Sequence, residues 1–183
     1  MNYTGVLRGR SSLRKIELRA FTEEEYHVFF REYQPDLIMD PSSSPFVYNY
    51  EQVSRSYRYN YGGFRDHYIH YGVFMDQRPV GSLQLKRIND KEKSCEIGII
   101  LQNESIKDLG IGTEAIRMAI QKAVHQLGLE YMIGDTLESN KRMIRVFEKL
   151  GFQLKERIPD AFRLSDGRKT GRLVYIKRIT EAD

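Results

Sequence analysis

Two glycines at the start of a long helical pattern constrain the fold more than any other feature of this sequence. Residues 94–101 have the apolar character of a strand, a polar segment follows, and Gly110 and Gly112 then open a helical repeat of apolar side chains. Glycines permit a tight turn and let a large ligand approach the backbone closely. Because the first amides of a helix lack intrahelical acceptors and lie at the positive end of its dipole, this segment can bind a pyrophosphate, with Lys107 adding a cation. The alternative is that the glycines only shape a sharp entry into the helix.

The first part of the chain predicts one strand and one helix. Residues 14–20 alternate charged and apolar side chains, which is the period of a half-buried strand. Thr22 and Glu25 form a capping-box pattern for a helix that runs towards Tyr33. Prolines and serines then interrupt residues 35–45, so we expect a mobile surface loop there.

The middle of the chain predicts an antiparallel meander. Three strand-like stretches are separated by short polar turns: 68–75, 78–88 and 94–101. Sequential strands with connections this short pair antiparallel. An amphipathic helix follows, which begins at Gly110 and ends at Gly128.

The last third of the chain predicts a strand, a helix and a hairpin. Residues 129–134 are typical of a buried strand, and residues 140–150 of a helix that Gly151 ends. The dipeptide Asp166-Gly167 is a strong hairpin signal between two strand-like segments, 152–164 and 169–179. The order of elements predicts an α+β fold with a mixed, mostly antiparallel central sheet of about six to seven strands flanked by helices.

Length and composition favour a single domain over residues 1–183. The chain is long enough to bury a core, and its single cysteine, Cys95, cannot form an internal disulfide. No apolar run of 18 residues and no signal-peptide pattern occur, so we expect a cytoplasmic protein that does not span a membrane. The net charge of +4 is mildly basic, which suits either an anionic ligand or an ordinary solvated surface.

Neither a metal site nor a nucleic-acid site is expected. His67 and His70 are the only close histidine pair, and on a strand they would fall on opposite faces. Tyrosines and arginines interleave between Tyr48 and Tyr61, as in a base-stacking surface, but tyrosines equally suit a substrate cleft or a dimer interface. A homodimer is therefore an open alternative.

The two glycines also fit a dinucleotide-binding pattern. Gly110-Ile-Gly112-Thr-Glu-Ala115 matches G-x-G-x-x-G/A, with Glu130 about 20 residues further on. In that motif the glycines directly follow a strand of a parallel sheet, whereas here residues 103–108 intervene after a meander. An NAD(P)-binding oxidoreductase is the weaker alternative.

Two blocks together resemble the GNAT acetyltransferases. The family's phosphate loop is Gln/Arg-x-x-Gly-x-Gly/Ala, and this chain has Lys107-Asp-Leu-Gly110-Ile-Gly112. Asn140, followed by Phe147-Glu-Lys-Leu-Gly151-Phe152, is similar to the family's second conserved block, an asparagine followed by Gly-Phe. Glu96-Ile-Gly98 resembles the strand before the loop in the ribosomal-protein and spermidine N-acetyltransferase branch. The resemblance is clearest over residues 80–179.

The resemblance implies that acetyl-CoA is the co-substrate and that a primary amine attacks its thioester directly in a ternary complex. The amine would belong to a protein N-terminus or to a small polyamine, and acidic residues near the acceptor side would favour a cation: Glu23, Glu24, Glu25, Asp36 and Asp40. In the family, the strand before the loop pairs with the pantetheine arm and the loop amides hold the pyrophosphate. The cofactor-binding residues implied here are Ile99, Ile100, Leu101, Lys107, Leu109, Gly110, Ile111, Gly112, Thr113, Asn140 and Phe147.

Glu96 and Tyr131 are the candidate catalytic residues. An ammonium with a pKa of about 10 must lose a proton before attack, and Glu96 is the candidate base, unless it is only a solvated, salt-bridged strand residue. Many relatives place a tyrosine in the second helix as the acid, but this chain has Phe147, which we expect to pack against the cofactor arm or the core. A thiol with a pKa of about 8.5 can leave as a thiolate, so Tyr131 or water is the substitute candidate. The missing tyrosine keeps open a module that binds acyl-CoA without transferring it.

Overall fold

The structure, a computed structural model, describes residues 3–8, 13–36, 45–63, 67–164 and 166–183. Its strands are β1 (Tyr3–Arg8), β2 (Leu13–Arg19), β3 (Ile69–Met75), β4 (Arg78–Asn89), β5 (Ser94–Leu101), β6 (Tyr131–Leu137), β7 (Gln153–Arg163) and β8 (Lys169–Arg178). Its helices are α1 (Glu23–Arg31), α2 (Tyr50–Tyr61), α3 (Ile111–Leu127) and α4 (Lys141–Lys149), with one 3-10 turn at Glu104–Ile106.

The strands form one sheet in the order β1-β2-β3-β4-β5-β6-β8-β7. All neighbouring pairs are antiparallel except β5 and β6. The predicted α+β fold with a mostly antiparallel sheet is confirmed, and the sheet has eight strands rather than six or seven. The additional strand is β1, which pairs with β2 at the edge of the sheet.

Helix α1 packs on β4 and helix α2 on β3, and an aromatic cluster is buried between these helices and the sheet. Phe21, Tyr26, Phe29, Val53 and Phe74 form this cluster. The Thr22 and Glu25 pair makes the predicted capping box, since each backbone N–H donates to the other's side chain. The tyrosine-rich segment 50–61 is a helix, which its low hydrophobicity and many tyrosines did not predict. Tyr50 and Tyr59 of this helix are largely exposed, although the Tyr50 ring stacks on the ring of His27 in α1.

Helix α3 lies on the opposite face and fills the larger core. Ala115, Ala119 and Ala123 recur at the spacing of one helix face and are fully buried, so the helix approaches the sheet closely. Gly128 has the left-handed conformation predicted for the end of this helix. Leu129 completes that end by donating its N–H to the Ala123 carbonyl, which is why β6 begins at Tyr131 instead of at residue 129.

Three further sequence predictions concern the surface loop, the histidine pair and a membrane span. The predicted mobile loop lies mostly at residues 37–44, outside the described residues, as does Asp40. His67 precedes β3 with a φ of 58°, so it is not on a strand with His70. Within the described ranges, every helix is too short or too polar to cross a bilayer.

Candidate active site

A cleft opens where β5 and β6 separate. The two strands pair in parallel only from Ser94 with Tyr131 to Ile97 with Gly134. Beyond that point β5 continues against β4, and β6 continues against β8. The space between them is part of a cavity of about 810 Å³, which residues 97–101 line on one side and residues 135–137 on the other. Facing backbone groups of two separated strands are available to an extended polar ligand.

Unpaired amides of α3 lie at the floor of this cleft. Gly110, with a φ of 81°, sits at the N-cap position, and no side chain caps the helix. Among the described residues, the N–H groups of Ile111, Gly112 and Thr113 have no acceptor. Helix α3 has 17 residues, so its dipole adds positive potential to three convergent donors. Such an arrangement suits a phosphate or diphosphate.

Gly112 has open space where a side chain would be, so a ligand can approach this helix closely. A Cβ atom built on Gly112 would contact only the Leu101 side chain, at 4.0 Å. Packing within the described protein therefore does not require a glycine here. The missing side chain leaves room over the unpaired amides, which is the space that a bound diphosphate needs.

Helix α4 forms a basic wall of the cleft. Asn140 caps this helix by accepting a hydrogen bond from the Met143 N–H at 3.1 Å. Lys141, Arg145 and Lys149 follow at intervals of four residues, so they lie on one face of the helix and line the cleft. Arg145 and Lys149 make no ion pair with any described residue. They are available to anionic groups of a ligand.

A second charge cluster surrounds the loop before α3. Lys107 lies 3.0 Å from Glu104 and 3.6 Å from Asp36. Arg142 of α4 lies 2.6 Å from Glu104 and 3.2 Å from Asp108. Arg142, and after it Lys107, lower the pKa of Glu104 by hydrogen bonding to its carboxylate. Both cations of this cluster are thus partnered by carboxylates.

Most of the residues that the family resemblance implied for cofactor binding line this cleft. Nine of the eleven do so: Ile99, Ile100, Leu101, Lys107, Gly110, Ile111, Gly112, Thr113 and Asn140. Leu109, which is 38% exposed, does not line the cleft. Phe147 is fully buried and does not line it either.

Phe147 anchors α4 on the sheet. Its ring lies 5.0 Å from the Phe152 ring and 5.1 Å from the Tyr175 ring, measured between centroids. A Cβ on Gly134 would overlap the Phe147 ring. The ring therefore packs directly beneath the last paired residue of β6, at the mouth of the cleft, and the chain needs a glycine there.

Glu96 lies on the sheet face opposite α3. Its neighbours Cys95 and Ile97 are buried in the core under α3, and successive side chains of a strand alternate between faces. The carboxylate accepts a hydrogen bond from Arg87 at 2.5 Å, at a bulge where Arg87 has a φ of 49°. Glu96 directly precedes the cleft-lining residue Ile97 but does not itself line the cleft.

Asp135 is a second carboxylate on the same sheet face, and sequence reasoning missed it. Glu96 pairs across β6 with Ile133, so Asp135, two residues further along, points to the same side. Asp135 lines the cleft and accepts a hydrogen bond from Arg172 at 2.8 Å. Nothing in a single aspartate in a strand predicts this position.

Tyr131 lies at the opposite end of β6 from the cleft. It pairs with Ser94 at the start of the parallel ladder and is 37% exposed. Gly134 lies three positions further along the strand, a distance of about 10 Å. The structure does not bring Tyr131 and the cleft together.

Other cleft residues also escaped sequence reasoning. Tyr33 and Gln34, and Phe162 of β7, also line the cavity. These three residues come from segments that lie far apart in sequence, so only the fold brings them together. The basic face of α4 was detectable, because its cations recur every four residues. Among the described residues, no group of three or more histidine, cysteine, aspartate or glutamate side chains could hold a metal ion.

Comparison with known proteins gives one family match and one curated relative. The acetyltransferase (GNAT) domain model matches residues 15–153, which is 139 of the 183 residues. The probable N-acetyltransferase YjcK of Bacillus subtilis (strain 168) is 32% identical over 91 residues, which cover 48% of this chain and 50% of the relative. The match thus spans about half the length of that relative.

Solved structures share the fold at low sequence identity. The ribosomal L7/L12 alpha-N-protein acetyltransferase RimL, in complex with coenzyme A, superimposes with a TM-score of 0.78 at 19% identity, over 98% of this chain and 100% of its own. A chimera of the spermidine N-acetyltransferase SpeG from Vibrio cholerae and hSSAT has a TM-score of 0.75 at 16% identity, over 89% and 95% of the two chains. A putative acetyltransferase from T. thermophilus has a TM-score of 0.70 at 18% identity, over 96% and 90%.

Proposed function

This chain belongs to the GNAT acetyltransferase family, and from that premise we propose that it transfers the acetyl group of acetyl-CoA to a primary amine. The observation that carries the proposal is the row of unpaired amides at Ile111, Gly112 and Thr113, placed directly beside two separated parallel strands. The amides suit the diphosphate of the cofactor, and the strands suit its extended arm. RimL, whose fold this chain shares, was solved with coenzyme A, which supports the choice of cofactor.

The described side chains suggest how the cofactor would be held. The α3 amides would bind the diphosphate, and Arg145 and Lys149 would neutralise further phosphate charge. The backbone of residues 99–101 would pair with the pantetheine arm. Bound acetyl-CoA supplies a thioester, so the amine nitrogen forms a bond to the acetyl carbon while the carbon–sulfur bond breaks and a thiolate leaves.

A carboxylate on the acceptor face would remove the proton from the amine. Helices α3 and α4 occupy the cofactor face, so we propose that the amine approaches from the opposite face, where Glu96 and Asp135 lie. Glu96 stays the first candidate and would act through a water, because it precedes the lining residues by one position. Asp135 is the alternative, because it lines the cleft itself.

Water is our proposed proton donor to the leaving thiolate. Phe147 has no hydroxyl, and Tyr131 would need to act over about 10 Å of strand. A thiol with a pKa of about 8.5 leaves largely as thiolate above that pH and needs only partial protonation at neutral pH. The Tyr131 candidate would require a chain of waters along β6.

The acceptor is proposed to be a cationic amine, from a protein N-terminus or a small polyamine. Asp36 and Asp135 both line the cleft and provide negative charge on its walls. RimL acts on a ribosomal protein by its name, and SpeG is named for spermidine, which supports both kinds of acceptor. The lining residues carry no feature that selects between the two.

A non-catalytic acyl-CoA-binding module is the second candidate function. The observation that favours it is Phe147, which is fully buried and provides no acid from α4. The dinucleotide-binding alternative loses its support, because in the described part of the sheet one of the seven neighbouring strand pairs is parallel and the other six are antiparallel.

Release of free thiol from acetyl-CoA tests the proposal. We expect thiol release when the protein is mixed with acetyl-CoA and a panel that contains spermidine, lysine and short peptides with free N-termini. Binding of CoA without amine-dependent thiol release for any of them would favour the binding module. Failure to bind CoA at all would contradict both candidates.

A further inference from the structure

The phosphate-binding region contains a carboxylate that comes from the acceptor side of the cleft. Asp36 follows α1, and the segment just before it is held against the end of β5: the Gln34 N–H donates to the Gln102 carbonyl at 2.8 Å. The side-chain Nε2 of Gln102 in turn donates to the Phe29 carbonyl at 3.1 Å, and Gln102 is 2% exposed. These bonds fix the segment beside the loop that precedes α3.

The Asp36 carboxylate faces the Lys107 ammonium. Their charged atoms lie 3.6 Å apart, and the two side chains are 31% and 20% exposed. Glu104 contacts the same ammonium at 3.0 Å, and Arg142 bridges Glu104 and Asp108. Among these residues, two cations meet three carboxylates next to the free amides of α3.

An incoming diphosphate must compete with these carboxylates. Lys107 lines the cleft, but its charge is already compensated, and Asp36 repels any anion that approaches it. A half-buried pair is screened less by solvent and salt than an exposed one, so the competition is felt at ordinary ionic strength.

We propose that Asp36 is an intramolecular competitor that occupies Lys107 in the free protein and gives it up to the phosphates of the bound cofactor. The proposal rests on the proposed function, since it requires that acetyl-CoA bind in this cleft. The product CoA should therefore bind more weakly than it would without the Asp36 carboxylate, because the contact between Asp36 and Lys107 re-forms as the phosphates leave. Removing the carboxylate should therefore slow the release of CoA as well as tighten its binding.

Calorimetric titration with CoA tests this competition. Asp36→Asn should bind CoA about threefold to fivefold more tightly than the wild type, the range expected for loss of a partly exposed charge contact. Asp36→Glu keeps the carboxylate and should bind like the wild type. Asp166→Asn removes an exposed carboxylate paired with Arg168, away from the cleft, and should leave the affinity unchanged.

A double-mutant cycle separates contact with Lys107 from a general field effect. Lys107→Met should weaken CoA binding, and in that background Asp36→Asn should change the affinity little. Acetyl-pantetheine lacks the diphosphate, so its affinity should not respond to Asp36→Asn. Equal or weaker CoA binding by Asp36→Asn, or an undiminished gain in the Lys107→Met background, would overturn the inference alone. A wild-type protein that binds no CoA would overturn the proposed function with it.

Discussion

At the scale of single residues, Gly112 and Gly128 serve different purposes. Gly128 adopts a φ of 63°, which ends α3 and which other residues adopt only with strain. Gly112 is the second residue of α3, in ordinary helix, and a Cβ there would touch only Leu101. The glycine at 128 is required by the backbone, and we infer that the glycine at 112 is required by a ligand.

Gly112→Ala should impair CoA binding without loss of stability. The added methyl group would occupy the space over the α3 amides, so we expect a rise of on the order of tenfold in the dissociation constant of CoA. Alanine also favours helix over glycine by up to about 1 kcal/mol, so the free energy of unfolding should stay equal or increase.

Gly128→Ala is the matched control for this substitution. It should lower the free energy of unfolding by about 1 kcal/mol and leave CoA affinity unchanged, because its Cβ meets nothing within 4 Å and the cost is backbone strain. Chemical denaturation and calorimetry on the two variants measure both quantities. A loss of stability with unchanged CoA affinity in Gly112→Ala would contradict the interpretation of Gly112.

Glu96→Gln tests the proposed base. We expect kcat with acetyl-CoA and a saturating amine to fall on the order of 100-fold at neutral pH, because general-base assistance is lost. The deficit should shrink as the pH approaches about 10, since the amine then loses its proton in solution.

The control for Glu96→Gln is Glu130→Gln, which removes an exposed ion pair with Lys93 at the starts of β5 and β6, away from the cleft. It should retain wild-type kcat. Full activity of Glu96→Gln would favour Asp135 as the base. Asp135→Asn should then show the same fall in kcat at neutral pH and the same recovery of kcat at high pH.

At the scale of secondary structure, two helix starts explain both stability and binding. Helix α1 begins with a capping box, whose Glu25 carboxylate also contacts Arg19 at 2.6 Å. Helix α3 begins without any side-chain cap, so its first amides stay available. Helix α4 adds a basic face beside them. Thr22 and Glu25 predict the capped start of α1 from their residue types. The free amides of α3 were predicted from Gly110 and Gly112, which have no side chains that could cap the helix.

Glu25→Gln should make the protein less stable at neutral pH and change little in acid. The hydrogen bond with Arg19 lowers the pKa of Glu25 below that of the unfolded chain. The stabilisation is therefore fully present above the unfolded pKa and is lost as the pH falls through the folded pKa. Glutamine can keep the capping-box hydrogen bond, so the loss is that of the charged contact with Arg19, which should cost on the order of 0.5–1 kcal/mol near neutral pH.

Urea denaturation of the wild type and Glu25→Gln at about pH 7 and about pH 3 measures this difference. The difference in free energy of unfolding between the two proteins should be smaller at the lower pH. The exposed variant Glu156→Gln, which makes no ion pair with any described residue, controls for the general change in charge. A larger difference in free energy of unfolding at the lower pH would contradict the role of the ionised carboxylate.

Helix α4 should contribute to CoA affinity through its unpaired cations. Arg145→Ala and Lys149→Ala should each weaken CoA binding by about twofold to fivefold and reduce its dependence on salt, because each removes one exposed charge from the wall of the cleft proposed to bind the phosphates. Lys155→Ala, on the exposed strand β7, should have no effect. Calorimetry at two salt concentrations measures both, and unchanged affinity in both α4 variants would place the phosphates elsewhere.

At the scale of the whole molecule, local patterns predicted the elements better than the arrangement of the site. The meander, α3, α4 and the final hairpin follow from hydrophobic periods and turn residues. Asp36, Asp135 and Phe162 reach the cleft only because strand order and the separation of β5 from β6 bring distant segments together. The helical state of residues 50–61 was missed, because its tyrosines are stabilised by packing against α1 rather than by helix propensity.

Strand β7 forms one edge of the sheet. The edge strand β7 is exposed along its length, and Lys155, Arg157 and Pro159 disfavour further strand pairing at that edge. A homodimer stays a prediction, and so does a cytoplasmic location.

The central claim is that the cleft between β5 and β6 binds acetyl-CoA with its diphosphate on the α3 amides. A crystal structure of the protein with CoA tests this claim most directly. We expect diphosphate oxygens within about 2.7–3.2 Å of the backbone nitrogens of Ile111, Gly112 and Thr113, and the pantetheine arm between the two strands. A CoA molecule bound with its diphosphate away from these amides, or with its thiol outside the cleft, would contradict the claim.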